Sequence, residues 1–237
     1  MKALTLTLSC LMLLAGCADI AIETSQPAPA AQPANVPPPV SRSTASANFR
    51  AVIGRVEPVA ERECRRRTSG VDCDFKIIID DSIGRQPNAY QTLDERGRPI
   101  IGFNSALIRE ARNQDELAFI LGHEAAHHIE GHIPQTQQTA IGGALAGAVL
   151  AGVLGLDASA GQTVTDIGAT VGARSYSKKF ELEADALGTV IASRAGYDPL
   201  RGARFFNRIP DPGDQFLGTH PPNAERIRTV ERVAAQL

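Results

Sequence analysis

The stretch His123-Glu124-Ala125-Ala126-His127 lies in a segment that we predict to be helical from Gln114 to about His132. Residues four apart fall on one face of a helix, so the two histidines point the same way. Two imidazoles so placed can bind one zinc ion, and the adjacent glutamate can reach a water molecule in the same site. The buried stripe of this helix is supplied by Leu117, Ile120, Leu121 and Ile129. The stretch therefore predicts a zinc site on a buried helix.

Two histidines leave a hydrolytic zinc site one ligand short, because such a site uses three protein ligands and an open position. No third histidine follows at the spacing H-E-x-x-H-x-x-G-x-x-H, so we expect a carboxylate from Glu181-Leu182-Glu183-Ala184-Asp185 on a second helix. Helical spacing favours Glu181 over Glu183, which points about 200° around that helix. Asp185 shares the face of Glu181 and can accept the free N–H of a ligand histidine.

The other histidines have less specific contexts. His128 and His132 form an i,i+4 pair, which predicts a polar face near the mouth of the site rather than a second metal site. His220 lies in Gly218-Thr219-His220-Pro221-Pro222. Three roles stay open for His220: a surface loop residue, a donor to a developing oxyanion, or a removable fourth zinc ligand.

Three motifs follow one another along the chain: H-E-x-x-H at 123–127, E-x-x-A-D at 181–185 and T-H-P-P-x-x-x-R-I at 219–227. In this order they resemble the CAAX-prenyl-protease-like zinc metallopeptidases of the gluzincin group, in particular its soluble periplasmic members. The resemblance runs from about Asn88 through Ile227. It implies one zinc ion per chain, bound by His123, His127 and Glu181. It further implies Glu124 as the catalytic base, Asp185 as a support for the ligands, and His220 and Arg226 near the transition state.

The rest of the chain predicts an α+β, mainly helical fold. β-Branched runs indicate short strands at Asp74–Ile79, Asn88–Tyr90 and Pro99–Phe103, and helical patterns cover Ser177–Ser193 and Asn223–Gln236. The gluzincin resemblance implies that the strands form a small antiparallel sheet beside the H-E-x-x-H helix.

The first residues predict export. Met1-Lys2 and the apolar run Ala3–Leu14 form a short secretory signal, which we place at 1–16. Leu14-Ala15-Gly16-Cys17 resembles a bacterial lipobox, in which Cys17 is lipidated. Ala18 follows the cysteine, and by resemblance to enterobacterial sorting this favours the inner leaflet of the outer membrane, with the domain in the periplasm. Residues 17–48 are rich in Pro and Ala and predict a tether, leaving a metallopeptidase domain at 49–237.

Composition narrows the remaining possibilities. The formal charge is −2, and the chain therefore lacks the excess of basic residues that is typical of nucleic-acid-binding proteins. Cys64 and Cys73 remain after the signal and the lipidated cysteine, and in an exported protein they predict a disulfide.

The uncharged segment 139–156 is open to several interpretations. Its apolar part, Ile141–Leu156, would be about 24 Å long as a helix, shorter than the ~30 Å hydrocarbon core. A crossing would also separate His123 from Glu181. The alternatives are a mobile or core-packed segment near the site, or a segment that touches a membrane or a second subunit.

Together these features predict a zinc-dependent endopeptidase of the bacterial cell envelope that acts on misfolded polypeptides. A strand near 88–103 could pair with an extended substrate. The competing hypothesis is a chaperone or assembly factor with a latched zinc site and little proteolysis. The oligomeric state is left open.

Overall fold

The computed structural model of the protein describes residues 40–175, 177–213, 218 and 220–237. The predicted signal peptide, Cys17 and most of the predicted tether lie outside these residues. The expected mainly helical fold with a small sheet is confirmed. The elements are α1 (Arg42–Arg67), β1 (Lys76–Ile79), β2 (Ala89–Leu93), β3 (Pro99–Phe103), α2 (Ser105–Glu110), α3 (Gln114–Ile129), α4 (His132–Val153), α5 (Ala158–Arg174), α6 (Ser177–Arg194), α7 (Pro199–Ala203) and α8 (Asn223–Ala234).

Helix α1 begins at Arg42, ahead of the predicted end of the tether at Asn48. Ser41 caps it, because its hydroxyl accepts a hydrogen bond from the backbone N–H of Thr44 at 3.1 Å. The helix also continues through Pro58. Its apolar face stays buried on both sides of the proline, and this packing offsets the hydrogen bond that proline removes.

Helix α3 begins where expected, because Asn113 accepts a hydrogen bond from the N–H of Glu116 at 3.0 Å. It ends at Ile129 and not at His132, so the predicted C-terminal bound is wrong. Gly131 has a φ of 68°, a left-handed conformation that glycine adopts at little cost and that stops the helix. His132 therefore opens α4, on a new helix axis.

The three strands form one sheet in the order β1-β3-β2. β2 and β3 are antiparallel, as expected, but β1 pairs with β3 in parallel, so the sheet is mixed. The antiparallel prediction is wrong for β1. After β1 the chain crosses to the opposite edge of the sheet and forms β2 there; β3 then turns back between the two strands and so runs parallel to β1. This topology leaves β2 as an edge strand.

Helices α3 and α6 cross at a pair of glycines. A Cβ atom on Gly188 would lie 2.8 Å from the backbone nitrogen of His123, and one on Gly122 would lie 2.9 Å from the carbonyl oxygen of Gly188. Real Cβ atoms do not approach backbone so closely, so the two axes can come together only because both residues are glycine. This contact brings the H-E-x-x-H face of α3 against the acidic face of α6.

The segment 139–156 belongs to a helical hairpin made of α4 and α5. Asp157 caps α5 by accepting from the N–H groups of Ser159 and Ala160. The core-packed interpretation is wrong, because most large apolar side chains of α4 are exposed. Within the described residues, no helix combines the length and hydropathy that a membrane crossing requires.

The predicted disulfide is present. Cys64, near the end of α1, is bonded to Cys73, and the two Cα atoms are 5.7 Å apart. Both cysteines are buried. The bond therefore fixes the connection from α1 to β1.

Candidate metal centre

Three side chains from α3 and α6 converge on one point. The Nε2 atoms of His123 and His127 are 3.0 Å apart, and they lie 3.6 Å and 3.4 Å from the nearest carboxylate oxygens of Glu181. In a tetrahedral zinc site with bonds of about 2.0–2.1 Å, ligand atoms are separated by about 3.3–3.4 Å. The three side chains thus have both the chemistry and the spacing of a zinc site.

His123 is oriented from behind by a buried ion pair. Its Nδ1 lies 2.9 Å from Oδ1 of Asp185, which accepts the N–H and leaves Nε2 as the free lone pair. Arg226 holds this carboxylate with a two-pronged contact, Nε to Oδ2 at 2.8 Å and Nη2 to Oδ1 at 2.7 Å. The Arg226 guanidinium also lies 4.1 Å from the centre of the Phe206 ring. Arg226 therefore fixes the position of the Asp185 carboxylate, which in turn orients His123.

His127 is oriented by a residue that sequence reasoning placed at the mouth of the site. Its Nδ1 lies 2.8 Å from Nδ1 of His132, and Nε2 of His132 lies 3.3 Å from Oε2 of Glu183. His132 is only 4% exposed and stacks on Phe180. For Nε2 of His127 to bind a metal, Nδ1 of His127 must carry the hydrogen and donate a hydrogen bond to Nδ1 of His132. Glu183, which the sequence did not favour as a ligand, thus contacts His132, and His132 in turn contacts His127.

The shared polar face expected for His128 and His132 is wrong because α3 ends before His132. His132 and His128 would share a face only on a continuous helix, and the turn at Gly131 separates them. His128 instead lies 2.6 Å from the carbonyl oxygen of Asp72. The sequence signal for this contact is a histidine nine residues after His123, directly after the glycine at position 131.

We predict that His132→Phe weakens zinc binding about 10- to 100-fold, because the ring shape is kept but the acceptor for His127 is lost. His132→Asn, whose amide oxygen can accept the same N–H, should recover part of this affinity. His128→Phe is the matched control and should bind zinc like the wild type. Chelator competition measures all three, and equal affinity for His132→Phe and wild type would contradict the prediction.

The electrostatics favour a cation. Burial acts to raise the pKa of Glu181, but hydrogen bonds to His127 and His220 and the charge of Arg226 hold that pKa well below its ordinary value. Burial likewise opposes ionisation of Asp185, and the charge and hydrogen bonds of Arg226 lower its pKa on balance. Both carboxylates are therefore ionised at neutral pH, Glu181 among the three converging side chains and Asp185 behind His123.

Glu124 lies between two clefts that meet at the candidate metal ligands. One, of about 360 Å³, is lined by Gln91, Ile133 and Phe180, and the other, of about 260 Å³, by Ala89, Phe119 and Phe206; Glu124, His127 and Glu181 line both. Among the described residues the Glu124 carboxylate has no hydrogen-bond or ion-pair partner, so it is available to a water molecule. Edge strand β2 borders both clefts, which is where the sequence predicts an extended substrate.

His220 reaches the site from the loop before α8. Its Nδ1 lies 3.0 Å from Oε2 of Glu181, and its side chain is 54% exposed. It therefore contacts Glu181 but is not part of the cluster of three candidate ligands. The structure brings the three predicted ligands, the predicted base Glu124, Asp185, Arg226 and His220 into one region.

Comparisons with known proteins place this geometry in a family. The sequence profile of peptidase family M48 matches residues 49–234. The chain is 29% identical over 150 residues to a putative beta-barrel assembly-enhancing protease of Vibrio cholerae, covering 57% of this chain and 31% of that protein. The beta-barrel assembly-enhancing protease of Escherichia coli (strain K12) is 29% identical over 147 residues, covering 56% and 30%. The mitochondrial metalloendopeptidase OMA1 of Schizosaccharomyces pombe is 30% identical over 129 residues, covering 51% and 36%.

The chain thus spans about a third of the length of these relatives. The family profile, in contrast, covers most of the chain, from α1 to α8. Because of that match, the chain belongs to peptidase family M48, a family of zinc metallopeptidases.

Proposed function

We propose that this chain is a zinc-dependent endopeptidase of the bacterial cell envelope. The observation that carries the proposal is the convergence of His123, His127 and Glu181 beside Glu124, at the junction of two open clefts. A structural zinc site is closed, and it does not require a carboxylate beside its ligands that, like Glu124, has no hydrogen-bond partner within the described part of the chain.

Zinc bound by these residues would supply a Lewis acid that polarises water and the scissile carbonyl. Glu124 takes the proton from the attacking water and delivers it to the leaving amine. The contacts made by Asp185 and His132 hold the two ligand imidazoles in the tautomer that presents Nε2. β2 offers backbone groups to an extended peptide, which selects unfolded chains without reading their sequence.

We further propose that the lipid on Cys17 holds the protein to the inner leaflet of the outer membrane, with residues 18–39 as part of the tether. Two-chain or three-chain acylation anchors a protein far more firmly than one chain. Misfolded envelope proteins would then be the substrates. The names of the bacterial relatives, which refer to assembly of β-barrels, support an envelope role.

The proposal is tested by cleavage of unfolded casein. A chelator should abolish cleavage, and one equivalent of zinc per chain should restore it. Magnesium, which prefers oxygen ligands, should not restore it and serves as the control. Cleavage that survives complete removal of zinc would exclude the proposed mechanism.

The second candidate is a chaperone or assembly factor with a latched site, and the position of His220 favours it. A side chain at hydrogen-bond distance from Glu181 could also occupy the open position of the metal. For the endopeptidase we expect His220→Ala to lose casein cleavage, because a donor to the oxyanion is removed. Cleavage that rises in His220→Ala would instead indicate a latch and favour the second candidate.

A further inference from the structure

The hairpin of α4 and α5 exposes large apolar side chains that a water-soluble hairpin would bury. Its large apolar residues at four-residue spacing on α4 form an outer row that is exposed by 61%, 64%, 67% and 78%: Ile141, Leu145, Val149 and Val153. In a water-soluble hairpin such a row faces the partner helix. Here it faces away from α5.

Small residues fill the seam between the two helices instead. A Cβ atom on Gly143 would lie 2.0 Å from the carbonyl oxygen of Gly168, and one on Gly147 would lie 2.6 Å from that of Val164. The helices are thus held by close backbone approach and not by burial of large side chains. Helices pack in this manner where the surroundings are as apolar as their side chains.

The polar side chains of the hairpin lie on α5 and on the first two turns of α4. From Ala140 through Leu156 no side chain can donate or accept a hydrogen bond. The outer face of α5, in contrast, exposes Gln162, Asp166 and Thr170 as well as the apolar Ile167 and Val171. Because α5 carries this polar face, the hairpin cannot enter hydrocarbon with both helices. The α4 side is better suited to an apolar phase, because residues 140–156 carry apolar side chains or glycine throughout.

The apolar phase that fits is a lipid surface rather than a second copy of the chain. Interfaces between proteins have a polar rim and about ten direct hydrogen bonds, and residues 140–156 have no side chain that could form one. The proposed function, on which this argument rests, also attaches the chain to a bilayer through a lipid on Cys17. With lipid on Cys17, residues 18–39 would keep residue 40 within about 30 Å of the membrane as a coil.

We propose that the outer row of α4 is a membrane-docking surface. α4 lies in the plane of the interface with Ile141, Leu145, Val149 and Val153 among the acyl chains, while the polar face of α5 stays in water. Such helices sink about 5–10 Å below the headgroups. Since α4 begins at His132, beside the metal ligands, docking would hold the active-site clefts next to the bilayer surface.

The chain has no tryptophan, so a single introduced Trp reports its own surroundings. Val149→Trp probes the outer row and Gln162→Trp, on the polar face of α5, is the matched control. The full chain is reconstituted in phosphatidylcholine vesicles, with and without lipids brominated on the acyl chains. We expect Trp fluorescence at position 149 to shift to shorter wavelength and to lose most of its intensity to the bromines. Fluorescence at position 162 should stay as in water.

Two results would overturn the proposal. One is water-like, unquenched emission at position 149 in vesicles. The other is blue-shifted emission at position 149 that bromines do not quench and that depends on the protein-to-lipid ratio, which would indicate contact between copies. Circular dichroism checks that both variants keep the wild-type helix content. The readout does not require catalysis, so it can fail while the endopeptidase proposal stands, and the reverse.

Discussion

Glu124→Gln is expected to abolish cleavage of unfolded casein while the zinc content stays at one ion per chain. The amide has the size of the carboxylate but cannot accept a proton from water, so the general base is lost. General acid–base groups contribute about 10²- to 10⁴-fold to rate, and we expect a loss of that order. Glu124 is not one of the three converging ligands, so zinc binding should be retained. Casein cleavage and metal analysis on the same preparation measure the two quantities.

The matched control is Glu130→Gln, the same change at the C-terminal end of α3, outside the clefts. It should keep both zinc and activity. Undiminished cleavage by Glu124→Gln would remove Glu124 from its role. Loss of zinc in that variant would mean that the carboxylate belongs to the ligand set.

Gly188→Val is expected to lose stoichiometric zinc although it alters no ligand. A Cβ at this position would meet the backbone nitrogen of His123 at 2.8 Å and its Cα at 3.0 Å. Backbone cannot rotate away as a flexible side chain can, so α3 and α6 must separate. Overpacking of this kind costs about 1–3 kcal/mol, and the shift would carry Glu181 away from the two histidines. Zinc content after dialysis and the thermal unfolding midpoint measure the effect.

Gly54→Val is the control for this substitution. Gly54 is a helical glycine on the exposed side of α1, and a Cβ there would meet nothing within 4 Å. It should bind zinc like the wild type. Gly188→Ala extends the series, and its smaller side chain should give an intermediate zinc affinity. Full zinc binding by Gly188→Val would show that the close contact at the helix crossing is not needed to assemble the site.

Local sequence patterns were sufficient for several features. The spacing of His123 and His127 places both on one face of α3, whatever the rest of the chain does. Asn113 caps α3 because its side-chain oxygen accepts a hydrogen bond from the backbone N–H of Glu116, three residues later. The match of Cys64 with Cys73 needed only two cysteines in an exported chain. Each of these features depends on residues close together in sequence.

Tertiary structure decided what depends on how separate elements approach one another. The register of Glu181 against the histidines is set by glycines on two helices, and no periodicity within one helix encodes the angle between two. His132 and Glu183 act behind His127 because the chain turns at Gly131. The outward row of the hairpin is likewise invisible in sequence: an apolar stripe shows which residues share a face, but only packing decides whether that face meets protein or is left exposed.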